Sequence, residues 1–403
     1  MSGYDLTEIK QKIEAHFDRT ELITFCQEMV RIPSHRDYPG QEAELGEFMK
    51  EWLEERGLKP WLQVAKEKRA NVVCTVGEGN PELIFNGHID TIPPYDMGDE
   101  ALTGRIEGDW IIGRGAADMK GGAAAMAYAL VVLNRTGLLL PGKLTFVGAV
   151  GEEYESLGTQ HQIAEGLLAD YAVVGEPTGM QVAAAHKAIE WIQINVTGRS
   201  IHSSMAHEGI NACQIAAQIV TRIYEEMVPK WNDRTHHLAG ASLGNVGRIV
   251  GGEQPNVVPA YCEIHMDRRW IPQEDLDEVY QEIRDLATEV VEGTGATAEV
   301  EPMPYSLRAK RVPLDTEPEN PIVQASLAAI NTIKGEDEVS EPIGVPYWGD
   351  AALLASAGIP TVNIGPGDIS QAHSATEALQ IDQLVDCAMT YALIPFALAD
   401  QQT

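Results

Sequence analysis

A chain of 403 residues with a hydrophobic share of 44% is long enough for two domains and a sizeable core. Its 29 Lys plus Arg stand against 60 Asp plus Glu, a formal charge of -31, which repels nucleic acid and anionic membrane surfaces and sets both aside as partners. The same excess suits a solvated exterior and says little about a substrate.

Cys26, Cys74, Cys213, Cys262 and Cys387 are scattered and show no Cys-x-x-Cys spacing, so neither a disulfide framework nor a thiolate metal site is expected and a reducing compartment fits. The first residues are polar and charged, without an apolar core of signal-peptide length. No later run approaches a membrane span, so the expected location is the cytoplasm.

Two amphipathic segments open the chain. In the second, Leu45, Phe48, Met49, Trp52 and Leu53 recur at helical spacing before Gly57 supplies a stop. Apolar runs then predict buried strands at Asn71 to Val76, Leu83 to Ile89, Leu144 to Val150 and Tyr171 to Val174. An alanine-rich helix, Met119 to Asn134, lies between the second and third. Strands alternating with helices imply an α/β sheet. From about Lys187 the rhythm changes: Ile192, Ile194 and Val196 alternate with Gln193, Asn195 and Thr197, the period of a sheet with one wet face. Strand (Ile189 to Thr197), helix (Asn211 to Glu226), strand (Leu243 to Val250), strand (Val257 to Asp267), helix (Glu274 to Glu292) and strand (Thr297 to Val300) give the order βαββαβ, a split βαβ arrangement. The Pro-rich, charged stretch Glu301 to Asn320 reads as a return linker. Beyond it, Pro321 to Ile333, Ala351 to Ala357 and Asp382 to Leu398 are expected as helices around the strand Thr361 to Ile364, with Pro395 breaking or kinking the last. The predicted domains are residues 1–186 with 303–403, and an inserted domain of residues 187–302.

The residues that carry chemistry gather at strand ends, where ligands of open α/β sheets bind. His88 and Asp90 leave one strand on the same side, and the carboxylate is placed to orient the imidazole. In Gly113-Arg114-Gly115-Ala116-Ala117-Asp118-Met119-Lys120-Gly121-Gly122 the glycines allow tight turns and set Asp118 at the mouth of the following helix, as an N-cap or with its carboxylate over the sheet. This spacing fits neither the dinucleotide fingerprint nor the P-loop. Glu152 and Glu153 follow one buried strand and Glu176 another, where an unpaired carboxylate is costly. Adjacent Glu152 and Glu153 aim apart, so one can bind metal while its neighbour handles protons. His373 follows the last strand and its Gly365-Pro366-Gly367-Asp368 turn. Alone, each cluster is an ordinary strand end or loop. Together, two histidines and several carboxylates supply the ligands of a dinuclear zinc or cobalt site.

The ordered series GHIDT, GRGAADMKGG, GEE, GEP and AHS resembles the dinuclear-zinc family of acetylornithine deacetylase, succinyl-diaminopimelate desuccinylase, aminoacylase and bacterial glutamate carboxypeptidase, over nearly the whole chain. The resemblance implies a zinc-peptidase-like α/β catalytic domain with a mixed sheet flanked by helices, and an inserted ferredoxin-like lid and dimerisation domain. It implies two divalent ions per chain, zinc first, with cobalt or manganese as alternatives. By the same resemblance His88, Asp118 and Glu176 hold one ion and Asp118, Glu153 and His373 the other. Glu152 is then the general base, Asp90 orients His88, and His202 reaches across a homodimer to the partner's oxyanion. Asn256 and Arg269 bind substrate, although Arg268 adjoins and leaves the register open. Glu176, where other branches carry aspartate, favours N-acyl amino acids. A carboxypeptidase, a dipeptidase or an N-carbamoyl amino acid hydrolase shares the machinery. Ser203 and Ser204 beside His202 lack a Gly-x-Ser-x-Gly elbow, which argues against a serine hydrolase. Arg308, Lys310 and Arg311 are expected as a solvated linker patch, His236-His237 as surface, and Asp350 as an N-cap.

Overall fold

A computed structural model describes residues 4–335 and 339–401. The chain divides into two compact units. The first comprises Met1–Ala185, Asp315–Gly344 and Gly349–Thr403, and the second His186–Leu314 with Val345–Trp348.

The first unit is built on a mixed sheet flanked by helices. Its centre is parallel: Gly142–Ala149, Glu82–His88, Tyr171–Val174 and Thr361–Asn363 lie side by side in that order. Arg69–Glu78 and Trp61–Lys66 extend one edge antiparallel. Trp61–Lys66 is not expected as a strand because its short sequence has no regular alternation, and pairing with Arg69–Glu78 makes it one. The central strands are apolar and buried on both faces, as parallel strands covered by helices require.

Three helices, not two, precede the sheet: Leu6–Glu14, Arg19–Arg31 and Ala43–Glu55. The first two begin at Asp5 and Asp18, whose carboxylates accept N–H groups of the opening turn. The helices Gly121–Thr136 and Ile381–Asp400 pack on one another and on the sheet. Both, the first together with its preceding turn, are long and apolar enough to cross a membrane, contrary to the expectation from the sequence, but 100% and 83% of their apolar windows are buried in the fold. Helix Ile381–Asp400 also continues through Pro395 without a break. The ring removes one intrahelical hydrogen bond, and burial of Leu393, Ile394, Phe396 and Leu398 holds the final turns in place.

The second unit is a four-stranded antiparallel sheet in the order Leu243–Gly251, Tyr261–Arg269, Glu190–Thr197, Thr297–Pro302. Helices Ala212–Arg222 and Leu276–Val291 supply the other half of its core, with Ile192, Ile194, Ile219, Ile264 and Ile283 buried between the layers. The helical path after Arg222 runs on to Asp233, past the expected end at Glu226. Pro229 sits in the first turn of the last segment, directly after the wider turn Ile223–Met227.

Two surface expectations in this unit are corrected. His236 is buried, and its Nδ1 accepts the N–H groups of Leu238 and Ala239 at 3.2 and 3.0 Å. Arg311 is also buried, stacked on Tyr305 with 3.9 Å from guanidinium carbon to ring centre and donating to the Tyr305 carbonyl. Aromatic stacking suits the weakly hydrated guanidinium, so this part of the linker is packed rather than solvated.

Candidate metal centre

Register brings the acids together. His88 pairs with Ala149, and Asn86 and Asn363 both pair with Val174, so the parallel strands end level with one another. His88, Glu152, Glu153, Glu176 and the turn leading to His373 therefore leave the sheet at the same edge.

Asp118 arrives from the glycine-rich loop. It lies in an irregular turn with φ -125° and ψ 97°, ahead of the helix Gly121–Thr136. A side chain at Gly121 would meet Leu379 at 2.3 Å and one at Gly122 the Gly175 carbonyl oxygen at 2.3 Å. These glycines are thus required for close approach, which lets the loop lie against the strand ends. Asp118 caps no helix. Its Oδ1 lies 3.0 Å from His88 Nε2 and its Oδ2 3.4 Å from His373 Nε2. His373 Nε2 also lies 3.1 Å from a Glu153 oxygen, and His88 Nε2 is 3.8 Å from Glu176. Ligand atoms of His88, Asp118 and Glu153 all fall within 4.8 Å of one another.

Asp90 acts differently from the expectation. The His88 ring donates through Nδ1 to the backbone carbonyl of Asp90 at 3.0 Å, while the carboxylate is 3.6 Å away. That carboxylate instead accepts the N–H groups of Glu152 and Glu153 at 3.0 and 3.1 Å. Asp90 thereby fixes the imidazole tautomer with its main chain and the two-glutamate turn with its side chain.

The electrostatics suit a cation. Burial raises Glu176 to about 8, against the opposing pull of His88. Burial also pushes Glu152 well above the ordinary carboxylate range and raises Glu153. His373, hydrogen-bonded to Asp118 and Glu153, is driven up to about 11. Nearby acids therefore draw positive charge to this position. His373 also sits at φ 60°, a left-handed conformation that non-glycine residues avoid and that concentrates at functional sites. The oxygen and nitrogen donors, partly buried and rich in carboxylate, fit divalent zinc, cobalt or manganese.

Asp350 is corrected. It stands at the N-cap position of Ala351–Ser356 but caps nothing. Its buried Oδ2 accepts from Thr159 at 2.6 Å, and the adjacent Gly349 packs against the Glu176 carboxylate. Glu377, which nothing in the sequence marks, is completely buried and paired with Arg114. Lying four places beyond His373 in a loop, it carries no periodic signal.

His202, Asn256 and Arg269 belong to the second unit. The chain at His202 bridges to Val257, and Ser203 N–H donates to the Asn256 carbonyl at 2.9 Å, so His202 and Asn256 share one pinned corner. His202 Nδ1 accepts from Ser204 N–H at 3.2 Å, which leaves the proton of the neutral ring on Nε2 as an outward donor. Arg268 is fully buried, over the Trp231 ring and bonded to Glu274 and Ser242. Arg269 is on the opposite strand face, half-buried, and pairs with Asp267 at 2.8 Å.

Residues 84–396 match the model of peptidase family M20/M25/M40. A probable succinyl-diaminopimelate desuccinylase of Staphylococcus epidermidis is 27% identical over 409 residues, covering 92% of this chain and 96% of that protein. An acetylornithine deacetylase of Proteus mirabilis is 31% identical over 347 residues, 84% of each. Among solved structures, aminopeptidase PepT from Bacillus cereus superposes with a TM-score of 0.80 at 21% identity, covering 95% of this chain and 100% of that one. The chain belongs to peptidase family M20/M25/M40, metal-dependent hydrolases of amide bonds.

Proposed function

We propose that the chain removes the acyl group from an N-acyl-L-amino acid of deacetylase or desuccinylase type, at a centre for two divalent ions, zinc by preference. The observation that carries this reading is Asp118, whose two oxygens face two different histidines, His88 and His373, as a bridging carboxylate would. His88, Asp118 and Glu176 hold one ion, and Asp118, Glu153 and His373 the other. When bound, the ions acidify a water and polarise the amide carbonyl. Glu152 takes the proton of the attacking water and returns it to the leaving amine; its raised proton affinity, with burial as the main cause, suits a base that must also act as an acid. His202 donates from Nε2 to the oxygen that gains charge in the transition state. Asn256 and the Arg269 guanidinium, which Asp267 holds through Nε and one terminal nitrogen, take the amino acid carboxylate, and the buried partners of Arg268 support Arg269 for that role.

Residues 187–302, the greater part of the second unit, serve as a lid and as the contact for a homodimer, with the first unit as the catalytic domain. The edge strand Leu243–Gly251 supports the dimer, because Leu243, Ile249 and Val250 are exposed along an unclosed sheet edge. The acyl choice rests on the named deacylase relatives at 27 to 31% identity.

The test is turnover of N-acetyl, N-succinyl, N-carbamoyl and dipeptide substrates by zinc- or cobalt-loaded protein, beside a chelated sample. Chelator-sensitive release from an acetyl or succinyl substrate supports the proposal. Turnover confined to dipeptides transfers the chain to the peptidases, and turnover that survives chelation removes the metal mechanism.

A further inference from the structure

Glu377 is completely buried and Arg114 is 2% exposed, yet the proposed chemistry uses neither. Glu377 Oε1 accepts two consecutive backbone N–H groups, those of Ala117 and Asp118, each at 3.1 Å. Its Oε2 is held by Arg114. The other arm of the Arg114 guanidinium donates to the Ser374 carbonyl at 3.2 Å and the Pro94 carbonyl at 3.3 Å, and Gly113 N–H donates to the Glu377 carbonyl at 3.2 Å.

We infer that Arg114 and Glu377 are positioning residues that set the metal affinity of the centre by tying the loop of Asp118 to the loop of His373. The inference rests on the proposed ligand roles of those two residues. The geometry explains why a tie is needed. Asp118 and Met119 depart from helical φ and ψ, so the regular hydrogen bonds of a helix do not fix the carboxylate that must face two histidines. Glu377 supplies the acceptor for the Asp118 N–H, and Ser374, next to His373, receives the guanidinium. One ion pair thus sets the span between two donors contributed by distant parts of the chain. A buried ion pair is a poor source of stability by itself, whereas groups that orient metal ligands typically change metal affinity by about 10- to 100-fold when altered.

The test titrates cobalt(II) into the full-length, metal-free protein against a chromophoric chelator, with visible absorption reporting the ligand field and urea unfolding reporting the metal-free fold. Glu377→Gln keeps one acceptor oxygen but loses the charge that holds Arg114. It should weaken cobalt binding about 10- to 100-fold and change the visible bands. Arg114→Lys keeps the charge but not the fork, and should lie between wild type and Glu377→Gln; it carries the test if Glu377→Gln does not fold. Unchanged affinity and spectrum in the folded variants, with only a lower unfolding midpoint, overturns the inference. Failure of the wild type to bind cobalt overturns the reading of the centre itself.

Discussion

The two units each bury a cluster of charge, and they balance it in opposite ways. In the second unit, Arg268 and Glu274 sit at the centre of a closed set: Glu274 accepts from Arg234, Arg268, Ser242 and the N–H of Ile271. Burial pushes the Glu274 carboxyl up, but Arg268 and the other donors outweigh it and hold the group below its ordinary range. In the first unit the corresponding partners are two histidines, and burial prevails at Glu152, Glu153 and Glu176. The matched set reads as structure, whereas carboxylates left raised within 4 Å of His88 and His373 suit a cation.

The largest effect should separate chemistry from metal holding. Glu152→Gln is expected to lower kcat by about 10²- to 10⁴-fold with metal content by elemental analysis unchanged. Loss of the metal along with activity would make Glu152 a ligand instead. In the matched cluster the effect should fall on stability: Arg268→Ala leaves Glu274 buried and short of a partner, at about 3–5 kcal/mol in urea unfolding. Metal content should not change, and a variant as stable as wild type would show that this pair is not structural. His202→Ala is expected to reduce kcat by about 10²-fold with KM nearly constant. If KM rises while kcat holds, the residue binds substrate rather than the oxyanion.

An effect of similar size, spread over pH, concerns His186, a basic group enclosed without a matching acid among the described residues. Burial lowers its pKa from 6.5 to about 4, despite an Nδ1–H bond to the Lys187 carbonyl at 3.0 Å. The unfolded chain takes up this proton below pH 6.5 and the folded chain resists it. Stability is therefore full above that pH and falls toward pH 4 by about 1.4 kcal/mol per unit. His186→Gln should flatten this slope in unfolding measured across the window, and an unaltered slope would assign it to other groups.

Much of the site was legible because strand ends announce themselves: an apolar run followed by His88, by Glu152 and Glu153, or by Glu176 needs no distant information. The βαββαβ order of elements was legible for the same reason, since the alternation at Ile192, Ile194 and Val196 belongs to the strand itself. Trp61–Lys66 was not, because its pairing rather than its composition makes it a strand. His236 and Arg311 read as surface because a sequence shows charge and polarity but not the rings and N–H groups that compensate them.

The sequence by itself determined the inventory of donors, the order of elements and the family resemblance, all of which depend on residue types at fixed local spacing. Only the tertiary structure decided that Asp118 turns one oxygen to each histidine and that the Asp90 side chain holds the glutamate turn. The burial of Arg268 and the tie from Glu377 to Asp118 also emerged there. Each of these depends on which backbone groups approach from far along the chain, and burial and hydrogen-bond pairing exist only once the strands are in register.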